Sequence, residues 1–254
     1  MTPLLSAHNL LLQAADGRVL LQQISLQIAA GELVGIIGAN GAGKSSLLKV
    51  LAGIKPAQQG MVQVAGQNAA RLAPLQRARL QGYLEQRPVL HWPLQVQQVV
   101  ALARLAFGDS EAPTGTAAID NALAAIGISE LSQREFLQLS EGEKLLVNLA
   151  RVLAGEPQLL LADDPTAALD PAHQHRVMQL LRERTRQHLG VLVVLHDLTL
   201  AARYCDRLLL LHEGLVIAEG ATVTVLTDTN MRRAFGIDAT LDLATRTVII
   251  HSPA

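Results

Sequence analysis

The stretch that most constrains this chain is Gly38-Ala39-Asn40-Gly41-Ala42-Gly43-Lys44-Ser45, with Ser46 after it. It fits G-x-x-x-x-G-K-S, the loop with which nucleotide hydrolases hold phosphates. Before it runs Leu33-Val34-Gly35-Ile36-Ile37, short, apolar and partly β-branched, as a buried parallel strand should be. After it, Ser46 to Ala52 reads as a helix, and Gly53 supplies its stop. Strand, glycine loop and helix are the context that the motif requires. The glycines let the backbone wrap a phosphate, so that successive N–H groups and the helix start face its negative charge. On this reading a nucleotide lies against Gly38 to Ser46, with Lys44 reaching its β- and γ-phosphates. The Ser45 hydroxyl ligates Mg²⁺.

Composition narrows the setting. At 254 residues the chain is long enough for one large domain or a core carrying a subdomain. Half of it is hydrophobic but only 2% is aromatic, so Leu, Ala and Val must do the packing. A net charge of −1 without a lysine–arginine stripe argues against a nucleic-acid partner. The lone cysteine, Cys205, can form no internal disulfide, which suits a reducing cytosol. No signal peptide is read at the start, and no apolar run approaches the length of a membrane helix. The expectation is a soluble chain, or one that reaches a membrane only through a partner.

Taken in order, residues 4–14 and 18–28 read as two strands around the turn Ala15-Asp16-Gly17. Met61 to Ala65 is a further strand, and Pro74 opens a polar helix ending near Leu80. Tyr83-Leu84-Glu85 leads into Gln86, and Arg87 to Gln95, with its two prolines, reads as an exposed loop. Val96, Val99, Val100, Ala103 and Phe107 then fall on one face of a single helix. Gly108 to Gly115 reads as a loop, Ala117 to Ile126 as a helix stopped by Gly127. The next helix starts near Ser140, burying Leu145, Leu149, Val152 and Leu153 and leaving Lys144, Asn148 and Arg151 polar. Leu159 to Ala162 is a buried strand, Pro171 opens a helix to about His188, and Val191 to Leu195 is another buried strand. Arg207 to His212 and Leu215 to Glu219 form a hairpin, and the tail from Ala221 holds short helical pieces and one strand, Thr247 to His251. The fold class that follows is α/β: a phosphate-loop core with a mostly parallel sheet and an antiparallel part at the N-terminus. A helical subdomain, 96–154, is inserted between core segments 1–95 and 155–254. Ligands of such sheets lie at the strand C-terminal ends.

Asp163 follows four apolar residues, where a phosphate-loop enzyme keeps the aspartate that organises Mg²⁺. The neighbouring Asp164 is placed to orient or deprotonate the attacking water. His196 ends a buried strand and can reach a γ-phosphate, and Gln86 can approach Mg²⁺ and the water. Ser140 and Gly142 sit at a helix start, and Ser140 with Glu143 is by itself a capping box. The histidines at 173, 175, 188, 212 and 251 are read as surface or satisfied core residues.

Order and spacing of these segments make the chain resemble the ATP-binding subunits of ABC transporters over essentially its whole length. Leu139-Ser140-Glu141-Gly142-Glu143 stands where that family has its signature, Gln86 at its Q-loop, Ala168-Leu169-Asp170 at its D-loop and His196 at its switch histidine. The resemblance implies a head-to-tail dimer of two copies, each phosphate loop facing the partner's Ser140 and Gly142 across ATP. It implies a membrane permease docked near Gln86 to Trp92, a periplasmic substrate-binding protein acting indirectly, and a place on the cytoplasmic face of the membrane. Three positions depart from the family: Asp164 for its catalytic glutamate, Glu141 for the first signature glycine, and no aromatic near Ala15 to stack on adenine, where Arg18 is the neighbouring candidate. The wording of Ser25-Leu26-Gln27-Ile28, Arg151-Val152-Leu153-Ala154 and His196-Asp197-Leu198-Thr199-Leu200-Ala201-Ala202 is similar to importer subunits for iron–siderophore, haem or cobalamin. The alternatives are a soluble ABC ATPase without a transport role, such as one in iron–sulfur assembly, and an ATP-driven dimerisation switch with very slow hydrolysis.

Overall fold

A computed structural model describes residues 2–86 and 92–253. In chain order its elements are β1 (Leu5–Gln13), β2 (Val19–Ile28), β3 (Leu33–Ile37), α1 (Lys44–Leu51), β4 (Gln59–Val64), β5 (Gln67–Asn68), α2 (Pro74–Leu80), β6 (Gln81–Leu84) and α3 (Val96–Ala101). There follow α4 (Pro113–Ile126), α5 (Glu141–Ala154), β7 (Leu159–Asp163), α6 (Pro171–Thr185), β8 (Gly190–Val194) and α7 (Leu198–Tyr204). The last are β9 (Arg207–His212), β10 (Leu215–Gly220), α8 (Thr222–Val225), α9 (Asp228–Phe235), β11 (Ile237–Asp242) and β12 (Thr247–Pro253).

The centre is a six-stranded sheet in the order β10-β9-β3-β8-β7-β6, parallel throughout except for β10. Every residue of β3, β7 and β8 is buried, which is what their unbroken apolar runs require of strands covered on both faces. Alternation then sorts their side chains into two cores. Leu33, Ile37, Leu160, Ala162, Val191 and Val193 meet the helices, with Val99, Leu123, Leu149, Val177 and Leu200. Val34, Ile36, Leu159, Leu161, Leu192 and Val194 point the other way, against Leu47 and Leu51 of α1 and against Leu5, Leu12 and Ile24 of the N-terminal strands. Those strands form a separate antiparallel sheet, β2-β1-β4-β5, so the central sheet is sandwiched between helices and a second sheet.

Three elements differ from the sequence reading, each for a visible reason. The helix expected through Phe107 stops at Ala101 and continues as a tighter 3₁₀ turn, Leu102–Ala106. The tightening turns Arg104 inward: it is buried, its guanidinium donates to both oxygens of Asp109 (2.9 and 2.6 Å), to Glu156 (2.8 Å) and to the Ala154 carbonyl (3.1 Å), and it lies 4.1 Å from the Phe107 ring centre. The loop expected to Gly115 is shorter, because Pro113, free of any N–H to satisfy, opens α4 at its first turn. Strand β11 lay unrecognised in the tail; its pairing with β12 is a tertiary fact that the polar, weakly alternating Ile237–Asp242 does not advertise. Asn148, expected on a polar face, is fully buried and donates to the Lys144 carbonyl at 2.8 Å. The loop expected from Arg87 to Gln95 falls partly outside the described residues.

Arg104 joins the turn after α3 to the end of α5, so its loss should be felt globally. We expect Arg104→Ala to lower unfolding stability by about 2–3 kcal/mol, through lost charge-assisted bonds and a stranded carbonyl. Denaturant titration should show a lower midpoint at unchanged slope.

Candidate active site

Strand register builds the site before any side chain is considered. Ile36 of β3 pairs with Val194 of β8, Val194 with Asp163 of β7, and Ala162 of β7 with Leu84 of β6. The C-terminal ends of four parallel strands therefore finish at one edge of the sheet. The phosphate loop leaves β3 there, Asp163 and Asp164 end β7, His196 lies two residues beyond β8, and Gln86 two residues beyond β6.

The loop backbone admits nothing larger than glycine at two of its positions. Gly38 has φ +150°, and a Cβ there would sit 2.2 Å from the Leu211 carbonyl oxygen. Gly43, at φ +103°, would bring a Cβ within 2.6 Å of the Leu20 carbonyl. Folded in this way, the loop delivers Lys44 and Ser45 into the first turn of α1, where N–H groups lack intrahelical partners. The Lys44 ammonium donates to the carbonyls of Gly38 (2.7 Å) and Ala39 (2.9 Å). Burial pulls its pKa down, while the charges of Asp163 and Asp164 work against that shift. The Ser45 hydroxyl donates to Asp163 Oδ1 at 3.1 Å. Burial pushes the Asp163 carboxyl up, the Ser45 bond opposes this, and the Asp164 charge adds to it. A hydroxyl and a carboxylate held together are the hard oxygen donors that a small divalent cation takes.

Asp164 is 7% exposed and sits at φ +51°, a left-handed backbone unusual for a residue with a side chain. Its Oδ1 accepts from the Thr166 hydroxyl at 3.2 Å. Its Oδ2 faces Gln86 Nε2 at 3.4 Å and His196 Nε2 at 3.8 Å. Gln86, Asp164 and His196, far apart in sequence, thus converge on one carboxylate oxygen. Thr166 escaped the sequence reading; a threonine two residues after an aspartate was the available signal.

Ser140 caps α5, and the box it forms is reciprocal: its Oγ accepts from the Glu143 N–H at 3.3 Å, and Glu143 Oε2 accepts from the Ser140 N–H and hydroxyl, each at 2.8 Å. Those two donors hold the Glu143 carboxyl below its ordinary range. The sign follows: this contribution to stability is complete above the unfolded carboxylate range and is lost as pH falls through the lower folded value. Glu141 is exposed, and its carboxylate is met by Lys144 Nζ at 2.8 Å. Gly142 lies close to the loop after Asp164, where a Cβ on it would approach the Ala168 carbonyl to 3.2 Å. Among the described residues, no hydrogen bond or ion pair joins Ser140 or Gly142 to the phosphate loop. Gly38 to Ser46, Gln86, Asp163, Asp164 and His196 are thus gathered at one edge; Ser140 and Gly142 stand apart, and Ser140 is exposed.

Ala15 and Arg18 both lie exposed in the β1–β2 turn. His173 is held by Asp170 at 2.6 Å and His175 by the Tyr204 hydroxyl at 3.0 Å, which gives both ordinary structural roles.

A glycine loop opening a helix at the carboxyl edge of a parallel sheet, with an aspartate pair ending a nearby strand, is the arrangement of phosphate-loop ATPases. Comparison with known proteins narrows that class. Residues 21–167 match the ABC transporter family. The hemin import ATP-binding protein HmuV of Bordetella avium (strain 197N) is 40% identical over 243 residues, covering 92% of this chain and 93% of that protein. HmuV of Pseudomonas fluorescens (strain Pf0-1) is 41% identical over 240 residues, covering 92% and 93%. Among solved structures, a metal-chelate type ABC transporter in an inward-facing conformation superposes with a TM-score of 0.81 at 26% identity, covering 98% of this chain and 96% of that one. The dimeric cassette MJ0796 gives 0.79 at 27% identity, covering 86% and 98%. The chain belongs to the ABC transporter family, and it is an ATPase of that family.

Among the described residues Lys44 is the one cation bonded to the loop's own carbonyls, so Lys44→Ala should weaken ATP binding on the order of 100-fold in a direct titration. Hydrolysis should fall to background with it.

Proposed function

We propose that this chain energises hemin uptake through a separate membrane permease, working as a pair of copies that close on ATP. The observation that carries the ATPase mechanism is the convergence of Gln86 and His196 on Asp164 Oδ2, beside the Lys44–Ser45–Asp163 group. The cargo rests on the likeness to hemin import ATP-binding proteins, which span more than nine-tenths of both chains. That span also favours transport over a soluble role.

Within one copy, the loop N–H groups, the start of α1 and Lys44 bind the β- and γ-phosphates. Ser45, Asp163 and Gln86 are the residues that would hold Mg²⁺, which would supply positive charge against that of the phosphates. Asp164 Oδ2 accepts the proton of a water aligned with the γ-phosphorus. A new P–O bond forms, the bond to the β–γ bridging oxygen breaks, and ADP leaves with its electron pair. Asp164 is a methylene shorter than glutamate; its left-handed backbone and its contacts with Thr166, Gln86 and His196 fix where that shorter reach ends. His196, half exposed, is placed to hydrogen-bond the γ-phosphate.

Ser140 and the first turn of α5 complete the site from the partner copy, offering a hydroxyl and free N–H groups to the γ-phosphate. Glu141 does not oppose this, since Lys144 neutralises it on the exposed side of the helix. The segment 96–154 acts as a helical subdomain within one ABC ATPase unit. A groove of about 300 Å³, lined by Leu75, Tyr83, Leu102, Leu105, Arg151 and Pro157, runs between it and the core. Trp92, outside that lining, is 68% exposed, and Leu75 and Leu105 within it are largely exposed. This apolar surface suits a short cytoplasmic helix of the permease, which would hold the chain at the cytoplasmic face of the membrane, with a periplasmic binding protein delivering cargo on the far side.

Asp164→Asn should lower turnover by at least about 10²-fold while still forming an ATP-dependent dimer on a sizing column. Wild-type turnover in that variant would assign the base elsewhere. Leu105→Glu should lose co-purification with the permease in mild detergent, and undiminished capture would remove the groove from the docking surface. Hemin-stimulated ATPase in reconstituted vesicles tests the cargo, with siderophore and cobalamin loads as the competing outcomes.

A further inference from the structure

Asp164 accepts a hydrogen bond from a neighbour whose backbone is itself bonded to α6. Thr166 is 5% exposed, and its hydroxyl donates its single proton to Asp164 Oδ1 at 3.2 Å. The Thr166 carbonyl accepts from Gln174 Nε2 at 3.4 Å and from the Leu169 N–H at 3.4 Å. The same Gln174 amide donates to the Leu169 carbonyl at 3.1 Å, which fastens the loop 164–169 to α6. The Ala167 N–H donates to the Asp164 carbonyl at 3.2 Å, closing the turn that the left-handed Asp164 begins.

A carboxylate turns easily about its last bond, since that torsion is broad and two-fold. A donor fixed on one side makes the two oxygens unequal. Here Oδ1 is taken by Thr166, and Oδ2 alone faces Gln86 and His196. We propose that Thr166 is a positioning residue for ATP hydrolysis, its hydroxyl holding Oδ1 so that Oδ2 is the oxygen presented to the attacking water. This rests on Asp164 being the base. The proton passes from water to Oδ2 as the new P–O bond forms and the β–γ bond breaks; Thr166 itself exchanges nothing. Without its hydroxyl, the carboxylate spends part of its time turned away, and a displacement of about 1 Å can cost on the order of 100-fold in rate.

The test uses the full chain with Thr166→Val, which keeps shape and removes the donor, and Thr166→Ser, which keeps the donor. Thr166→Ala, which adds no bulk, is run beside Val in case Val perturbs folding. Each is also combined with Asp164→Asn. Val and Ala should lower kcat by about tenfold or more, with the Kd for ATP within about twofold, and Ser should recover to within about threefold of wild type. On top of Asp164→Asn, Val should change the residual single-turnover rate by less than about twofold, since no carboxylate remains to be aimed. The proposal is overturned by Val and Ala at the wild-type rate, by Ser as slow as Val, or by the same loss recurring in the Asn background. Wild-type turnover of Asp164→Asn alone would remove the base assignment and this inference together. Wild-type turnover of Val beside an inactive Asn would remove this inference only.

Discussion

Parallel hydrogen bonding among β6, β7, β8, β3 and β9 is the constraint on which the rest depends. Parallel strands send all their C-terminal ends to one side, so residues that end separate strands become neighbours without any contact of their own making. Burial on both faces fixes the register, because a slip of one residue would exchange the side chains facing the helices with those facing the antiparallel sheet. Glycine loop, aspartate pair, glutamine and histidine therefore need only sit at the right distance from a strand end.

That economy concentrates charge in a poorly hydrated place. Burial weakens the hold of Lys44 on its proton and strengthens that of Asp163, so both groups are disfavoured in their charged forms until something compensates. In the described contacts the compensation is local: two loop carbonyls for the ammonium, a serine hydroxyl for the carboxylate. A nucleotide carrying a divalent cation would supply opposite charges to both. Whatever binds the folded chain in this way also stabilises it.

How much of this could be read beforehand followed from how local each determinant is. The phosphate loop, the strand before it and the strand ending at Asp163 were legible because glycine geometry and unbroken apolar runs are written in consecutive residues. The positions of Gln86 and His196 just past strand ends, and the helix start at Ser140, were legible through spacing and a capping box. Arg104 was not, since its burial depends on Asp109, Glu156 and Phe107 meeting it at once, and an arginine in an amphipathic pattern otherwise reads as surface. Asn148 misled for the same reason: a polar residue on a helix gives no sign that both its faces are covered. β11 needed β12 before it became a strand. Thr166 lay inside a recognised segment, yet its importance is in a direction, that of one hydroxyl toward one oxygen, which spacing does not encode.

The box at the start of α5 has a consequence of its own. Glu143 places a carboxylate oxygen 2.8 Å from both the N–H and the hydroxyl of Ser140, and an anionic guest would seek those same donors. The helix start thus carries a tethered competitor, present at the high effective concentration of a group on the same turn. Loose anions such as inorganic phosphate find the two donors of Ser140 already taken there. In the proposed pairing, a γ-phosphate presented by the opposing subunit would have to displace this tether. In that pairing, preference for a closed, loaded pair over stray anions would rest on a single carboxylate three residues from the serine it guards.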